Sequence, residues 1–451
     1  MVKDTITLDI TDLNHDGDGT GRYGGLVVFV PGAIPGDRVK ATIVEAKPRF
    51  ARARLQEVSV PSPDRVVPPC PVYGRCGGCQ LQHMDYRAQL AAKQALVAAA
   101  IRRVGGLDGV PVQPTLGMDN PWHYRNKAQF PVGASTGARG NVAGGLYARG
   151  THEIIDLDDC LIQHRVNNTI LATAKDLIAR YAIPPYDERT GTGVVRHVLT
   201  RVSSGTGEAM AVLVTNGPGL PHARELARDL MAAVPSVRSV QQNVNPHRTN
   251  VILGETTRLV AGAPYITDTI GDLRFRISPR SFFQVNPSQT RRLYQKALEY
   301  AQLQPGDTVL DAFCGTGTIT LFFARHARRA IGIEELPEAI SDARANARFN
   351  HIENTEFVTG KVEEELPRLS ASGFRPDVIV LDPPRAGVDR RALEAMAAMG
   401  PRRMVYIACH PATLARDLAV LATAGYRTVA VQPVDMFPHT RHIEVVALLV
   451  R

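Results

Sequence analysis

One cysteine and one carboxylate in the last third of this sequence are placed to do chemistry together. Cys409 lies in Ala408-Cys-His-Pro-Ala-Thr, directly after the apolar run Met404-Val-Tyr-Ile, and Glu444 closes Phe437-Pro-His-Thr-Arg-His-Ile-Glu. A thiolate is strongly nucleophilic and also leaves readily, which suits it to a transient bond with carbon. A pyrimidine C5 is a poor carbon nucleophile until something adds at C6. A cysteine that adds there produces an enolate at C5, the enolate takes a methyl group, and a base must then remove the C5 proton so that the sulfur can depart. Glu444 is the candidate for that base. An isolated Cys and Glu would read as a small buried side chain and a surface charge, so the setting has to decide. Cys314, inside a glycine turn, reads as structural.

The setting supplies a methyl donor. Asp311-Ala-Phe-Cys-Gly-Thr-Gly-Thr follows the apolar Thr308-Val-Leu, and Gly315 and Gly317 permit a tight strand-to-helix turn with close backbone approach to a ligand. Glu334, ending Arg329-Ala-Ile-Gly-Ile, lies about 20 residues on, where a carboxylate bonds ribose hydroxyls. At this turn the sequence has neither G-x-G-x-x-G nor a phosphate loop ending in Gly-Lys-Ser/Thr. S-adenosylmethionine, with a ribose and an adenine but no phosphate, fits this set. The Asp382-Pro-Pro that ends a later strand is followed by Arg385, not by the aromatic residue common in amine methylation nor the cysteine common in cytosine methylation. Cys409, at the end of a strand and before a proline, is the residue placed as a nucleophile toward a pyrimidine.

These residues need a scaffold that brings strand ends together. Short apolar runs alternating with helical stretches predict an α/β fold with a doubly wound, Rossmann-like sheet, whose ligands bind beyond the carboxyl ends of the strands. Residues 279–451 are assigned to it. Residues 1–59 read as short strands, Ile6-Thr-Leu-Asp-Ile, Leu26-Val-Val-Phe-Val and Arg38-Val-Lys-Ala-Thr-Ile-Val, broken by glycine turns into a small β-barrel. Lys47, Arg49, Phe50, Arg52 and Arg54 make a basic run with an aromatic in it, as on nucleic-acid surfaces or a charged edge strand. Residues 60–278 form an α+β central domain. Its helix from about Asp85 to Val104 is expected to bury Leu90, Val97, Ile101 and Val104. Arg125 and Lys127 alternate with apolar positions on an expected strand, open to phosphate contact or ordinary amphipathic packing.

The chain resembles the bacterial and archaeal RNA uracil-C5 methyltransferases that form 5-methyluridine and carry a TRAM domain and an iron–sulfur cluster, most of all the 23S ribosomal RNA enzymes. The resemblance rests on Ser281-Phe-Phe-Gln-Val-Asn, Asp311-Ala-Phe-Cys-Gly-Thr-Gly-Thr, Leu381-Asp-Pro-Pro-Arg-Ala-Gly, Cys409-His-Pro-Ala-Thr-Leu and Asp435-Met-Phe-Pro-His-Thr. It implies that Gln284, Phe313, Glu334 and Asp382 contact S-adenosylmethionine, that Cys409 is the nucleophile and that Glu444 is the proton acceptor. It also implies a TRAM-type, OB-like RNA-binding barrel at the N-terminus. One departure is His410, where the family usually has Asn beside the nucleophile.

Four other cysteines suit a metal. Cys70-Pro-Val-Tyr-Gly-Arg-Cys76-Gly-Gly-Cys79 gathers three in a Gly- and Pro-rich loop, with Cys160 downstream. Four thiolates serve zinc or iron–sulfur. The wide first spacing together with the resemblance favours a 4Fe-4S cluster, in a structural or RNA-positioning role, over zinc.

The 451 residues carry 52 Lys and Arg against 44 Asp and Glu, a net charge of +8 that favours a polyanionic partner. No apolar run approaches the ~18 residues of a membrane span, and the N-terminus lacks an apolar leader. The expectation is a cytoplasmic monomer acting on ribosomal RNA. Two rivals stay open: a transfer RNA uracil methyltransferase, and an RNA-binding assembly factor with decayed catalysis.

Overall fold

Alternating inward aliphatic and outward polar side chains close the N-terminal strands into a barrel. The strands are β1 (Thr5–Leu13), β2 (Gly19–Tyr23), β3 (Leu26–Val30), β4 (Arg38–Ala46) and β5 (Phe50–Val60), in the order β1-β2-β3-β5-β4. Ile6, Leu8 and Ile10 of β1 face inward with Val39, Ala41 and Ile43 of β4, Ala51 and Ala53 of β5, and Val28 and Val30 of β3. The many alanines keep the lumen narrow enough for side chains to fill it. Two elements were not legible as strands in the sequence: β2, whose glycines read as a turn, and the full length of β5. Gly21 is required in β2, because a Cβ there would stand 2.5 Å from the Asp9 carbonyl of β1. The computed structural model describes residues 3–135 and 141–451.

The chain divides into two units. The first contains Met1–Asp119, Pro383–Ala397 and Tyr406–Arg451, and the second Asn120–Asp382 and Ala398–Val405. In the first, buried Asp37 ties the barrel to the segment after β5. Its carboxylate accepts from Ile34 N (2.8 Å), Ser62 N (2.9 Å) and the Arg65 guanidinium. Burial opposes its charge, but Arg65 and the two amides outweigh that and hold the carboxyl below its ordinary range. Helix α1 (Tyr86–Arg103) starts where Asp85 accepts from Arg87 N.

The second unit contains β6 (Lys127–Ala134), β7 (Val142–Tyr147), β8 (Ile154–Asp156), α2 (Arg165–Arg180), β9 (Val195–Val202), β10 (Ala209–Thr215), α3 (Ala223–Ala233), β11 (Val237–Val244) and β12 (Thr256–Gly262). These strands form a sheet in the order β12-β11-β10-β9-β6-β7-β8. Its middle strands β9 and β10 are buried throughout. A hairpin comes next, β13 (Ile266–Ile270) and β14 (Leu273–Ile277), then α4 (Pro287–Ala301).

The alternating part begins at β15 (Thr308–Ala312) and continues through α5 (Thr318–Ala324), β16 (Arg329–Glu334), α6 (Pro337–Phe349), β17 (Thr355–Thr359), α7 (Val362–Ala371) and β18 (Val378–Leu381). β16 and β18 flank β15 and β17 flanks β16, all parallel. Strand order therefore reverses at β15, and the crevice beyond its carboxyl end is where such sheets bind ligands. After α8 (Arg390–Met399) come β19 (Arg403–Ala408), α9 (Pro411–Thr423), β20 (Arg427–Val434) and β21 (Glu444–Val450). β21 lies between β19 and β20, antiparallel to β20. The other edge of β20 is covered by residues 111–116: Val431 N donates to Pro111 O (3.0 Å), Gln113 N to Val431 O (2.8 Å) and Leu116 N to Pro433 O (3.0 Å).

Candidate active site

The turn after β15 is built for close approach. Phe313, Gly315 and Gly317 have φ of 73°, 54° and 82°, and a non-glycine residue held in that region is strained backbone of a kind found at ligand sites. A Cβ at Gly315 would meet nothing within 4 Å, whereas one at Gly317 would press on Ala343. One glycine thus opens space and the other permits packing. Cys314 points inward against Gly332, and burial raises its thiol well above the ordinary value, which agrees with a structural reading. Glu334, the last residue of β16, accepts from Gly315 N (3.2 Å) and Leu336 N (3.0 Å), which fixes the carboxylate at the mouth of the turn.

Acidic groups crowd this strand end. Asp311 is fully buried and accepts from Thr320 Oγ1 (2.6 Å), while its other oxygen has no hydrogen-bond partner among the described residues. Burial pushes Asp311 up to about 8, with Asp382 and Glu334 adding to the rise, and burial alone pushes Asp382 up to about 7. Gln284 is buried in the segment between β14 and α4. The four residues expected to contact the cofactor, Gln284, Phe313, Glu334 and Asp382, thus all belong to the second unit.

The other unit holds both residues expected to act on the base. Cys409 follows the last residue of β19, half-buried, and Glu444 opens the neighbouring β21, buried. His410 caps α9: its Nδ1 accepts from Thr413 N at 3.4 Å, and Thr413 Oγ1 donates to His410 O at 3.0 Å. Burial lowers its pKa, helped by His15 and Arg385. A neutral imidazole with an acceptor Nδ1 does here what an Asn side chain does at a helix N-cap. The segment from Asp435 to Glu444 is gripped from several sides. Asp435 accepts from Lys93 Nζ (2.5 Å) and Tyr86 OH (2.9 Å), Lys93 also donates to Phe437 O (3.1 Å), and His439 N donates to Gln89 Oε1 (3.1 Å). Gln80 N and Leu81 N donate to His439 O, and Arg441 pairs with Asp16 of the barrel.

The cysteine loop lies in this first unit as well. Tyr73 OH donates to Gln80 O (2.7 Å), and Gly78 N donates to Cys76 Sγ (3.4 Å). Burial pushes the Cys76 thiol up against that amide, and Cys70 adds to the rise. Among the described residues no three Cys, His, Asp or Glu side chains stand together as a metal-binding set. Cys79 is half-buried in the same loop, and Cys160 is buried in the second unit.

Comparison with known proteins gives this geometry a context. A family profile described as tRNA (uracil-5-)-methyltransferase matches residues 253–451, and a TRAM domain profile matches residues 1–55. An uncharacterised RNA methyltransferase of Halalkalibacterium halodurans is 50% identical over 447 residues, covering 99% of this chain and 97% of that protein. The chain belongs to the RNA uracil-C5 methyltransferases. A Listeria innocua RNA methyltransferase is 46% identical over 445 residues, 99% of this chain and 97% of that one. Among solved structures, the Pyrococcus abyssi tRNA (uracil-54, C5)-methyltransferase, in complex with S-adenosyl-L-homocysteine, aligns at a TM-score of 0.78 with 27% identity, over 99% of this chain and 100% of that one.

The protein is accordingly an S-adenosylmethionine-dependent RNA methyltransferase, with a TRAM barrel and a methyltransferase sheet. On the TRAM barrel, Arg52 lies over the Phe29 and Phe50 rings at 6.0 and 5.9 Å, so the basic run includes a cation–π cluster. Among the described residues no helix is long and apolar enough to cross a membrane. Sequence reasoning missed the α1 residues that hold the Glu444 segment. Gln89 and Lys93 are buried, while Val104, expected inside, is 52% exposed. The available signal was spacing: Gln89, Lys93, Val97 and Ile101 recur every four residues, so two polar side chains continue an apolar stripe.

Proposed function

We propose that this enzyme methylates C5 of a uridine in structured RNA, 23S ribosomal RNA in the first instance, through a covalent bond between Cys409 and C6. The observation that carries the reading is the placement of Cys409 at the end of β19 and Glu444 at the start of the adjacent β21. The thiolate adds at C6 and the pair of electrons moves to C5 and O4. C5 then takes the methyl group, releasing S-adenosylhomocysteine. Glu444 accepts the C5 proton, the C5–C6 double bond re-forms, and the sulfur leaves with its electron pair. Gln284, Phe313, Glu334 and Asp382 hold the cofactor, with the Glu334 carboxylate on the ribose hydroxyls. His410 keeps α9 capped beside the nucleophile, so its departure from Asn leaves the reaction class unchanged.

The rival RNA is transfer RNA, favoured by the full-length match to the archaeal enzyme. Mapping 5-methyluridine in 23S and transfer RNA from a strain lacking the gene separates them. Loss confined to transfer RNA would replace the ribosomal assignment, and no loss in either would end both.

The reading extends to a 4Fe-4S cluster on Cys70, Cys76, Cys79 and Cys160. It is supported by the spacing of the cysteines and by the Gly78 amide donated to Cys76 Sγ. Its part is structural or RNA-positioning, and no chemical step passes through it.

A further inference from the structure

Three cations meet on one face of the central sheet, and among the described residues no carboxylate answers them. Lys127 opens β6 and stands directly opposite Arg201 of the antiparallel β9. Side chains so placed have Cβ atoms about 5 Å apart, and like charges there are destabilising. Arg125 precedes Lys127 by two residues, and its Nε donates to the Lys127 carbonyl at 3.1 Å. Elsewhere the buried lysines are matched, Lys93 by Asp435 and Lys175 by Asp156. The charged groups acting on Lys127 are Arg201 and Arg125, and burial followed by these two draws Lys127 down to about 7.

The cluster is tied to the segment that carries Gln284. Arg201 is buried and donates to Ser281 O and, at 3.4 Å, to Pro279 O, while its Nε has no hydrogen-bond partner among the described residues. Asn126 N, between the other two cations, donates to Val285 O at 2.8 Å. Arg201 thus stays fixed beneath the segment while Arg125 and Lys127, half-buried, still reach solvent. We propose that Arg125, Lys127 and Arg201 form an anion site that takes a backbone phosphate of the RNA substrate. An RNA strand offers one anion per nucleotide, and a phosphate settled here relieves the repulsion among the three cations. Lys127 supplies the direct contact, and buried Arg201 supplies field and rigidity. The inference rests on RNA being the substrate.

The test uses the full-length enzyme and a fluorescent, uridine-containing RNA stem-loop of about 20 nucleotides, titrated across a range of KCl. Lys127→Gln should lower the slope of log affinity against log salt by ~0.7–0.9 and weaken binding about fivefold near ~0.1 M salt. Lys127→Arg should stay near wild type. Cofactor affinity by calorimetry should be unchanged in both. Should Lys127→Gln fold poorly, Arg125→Gln replaces it with the same expected loss of slope. An unchanged slope in a folded variant overturns the site. So does a fall in cofactor affinity at unchanged slope, which would make the anion the cofactor's carboxylate. Formation of 5-methyluridine by the wild-type enzyme is read separately, so failure of this site and failure of the functional reading are distinct results.

Discussion

Lys93, in the helix before the central sheet, donates to Asp435, just after β20, at 2.5 Å, and both side chains are buried. They stand 342 positions apart in sequence. The pair pins the start of the segment that ends in Glu444, so a helix remote in sequence sets where the proposed base stands. Lys93→Met should destabilise the enzyme by ~3–5 kcal/mol, because it leaves a buried carboxylate without its cation. Adding Asp435→Asn should recover part of the loss. Denaturant unfolding reads both, and a single variant as stable as wild type would show that the segment is held some other way.

Cys409 and Glu444 divide the proposed chemistry. Cys409→Ala should give neither methyl transfer nor a covalent complex, since C6 is never attacked. Glu444→Gln should accumulate an enzyme–RNA adduct that already carries the methyl group, because the C5 proton stays. Denaturing gels with methyl-labelled cofactor tell these apart. Product formation by Cys409→Ala would refute the mechanism, and normal turnover by Glu444→Gln would move the base elsewhere.

Glu334 presents a carboxylate already fixed by two backbone amides. Its replacement by Ala should weaken S-adenosylmethionine binding by ~1.5–3 kcal/mol, roughly ten- to hundredfold, as expected for a charge-assisted hydrogen bond. Calorimetry with unchanged affinity would place the ribose contact on another residue.

The acidic strand end should leave a mark on stability. Asp311 at about 8 and Asp382 at about 7 stand above the ordinary value of 3.8. Between about pH 4 and 8 the folded chain therefore holds protons that the unfolded chain has released. Stability from these groups is complete below the unfolded value and declines as pH rises through the folded ones. Thermal unfolding of the cofactor-free enzyme should show that decline, and Asp311→Asn should flatten it. A variant that follows the wild-type curve would remove Asp311 as its source.

Anaerobically purified protein should be brown and hold about four irons, and Cys76→Ala should lose them. Stoichiometric zinc without iron would replace the cluster with the rival metal.

The strand-end residues were legible in the sequence because glycine turns, Asp-Pro-Pro and a Cys after an apolar run are local signals. Gln89 and Lys93 were not, since an amphipathic pattern marks a buried stripe without saying which polar side chains it takes inside. The same limit hid β2, whose glycines serve close strand approach as well as turning. Arg201 was invisible for another reason: its role depends on facing Lys127 across a ladder, a pairing that no local pattern records.

The covered edge of β20 has a consequence for how this protein can be cut or copied. A chain begun after residue 119 would keep every strand of the methyltransferase sheet but leave β20 with a bare row of amides and carbonyls. Such an edge is a template for pairing with a second molecule. That sheet, expressed without residues 1–119, is thus set to self-associate, and in the intact chain residues 111–116 keep the edge closed.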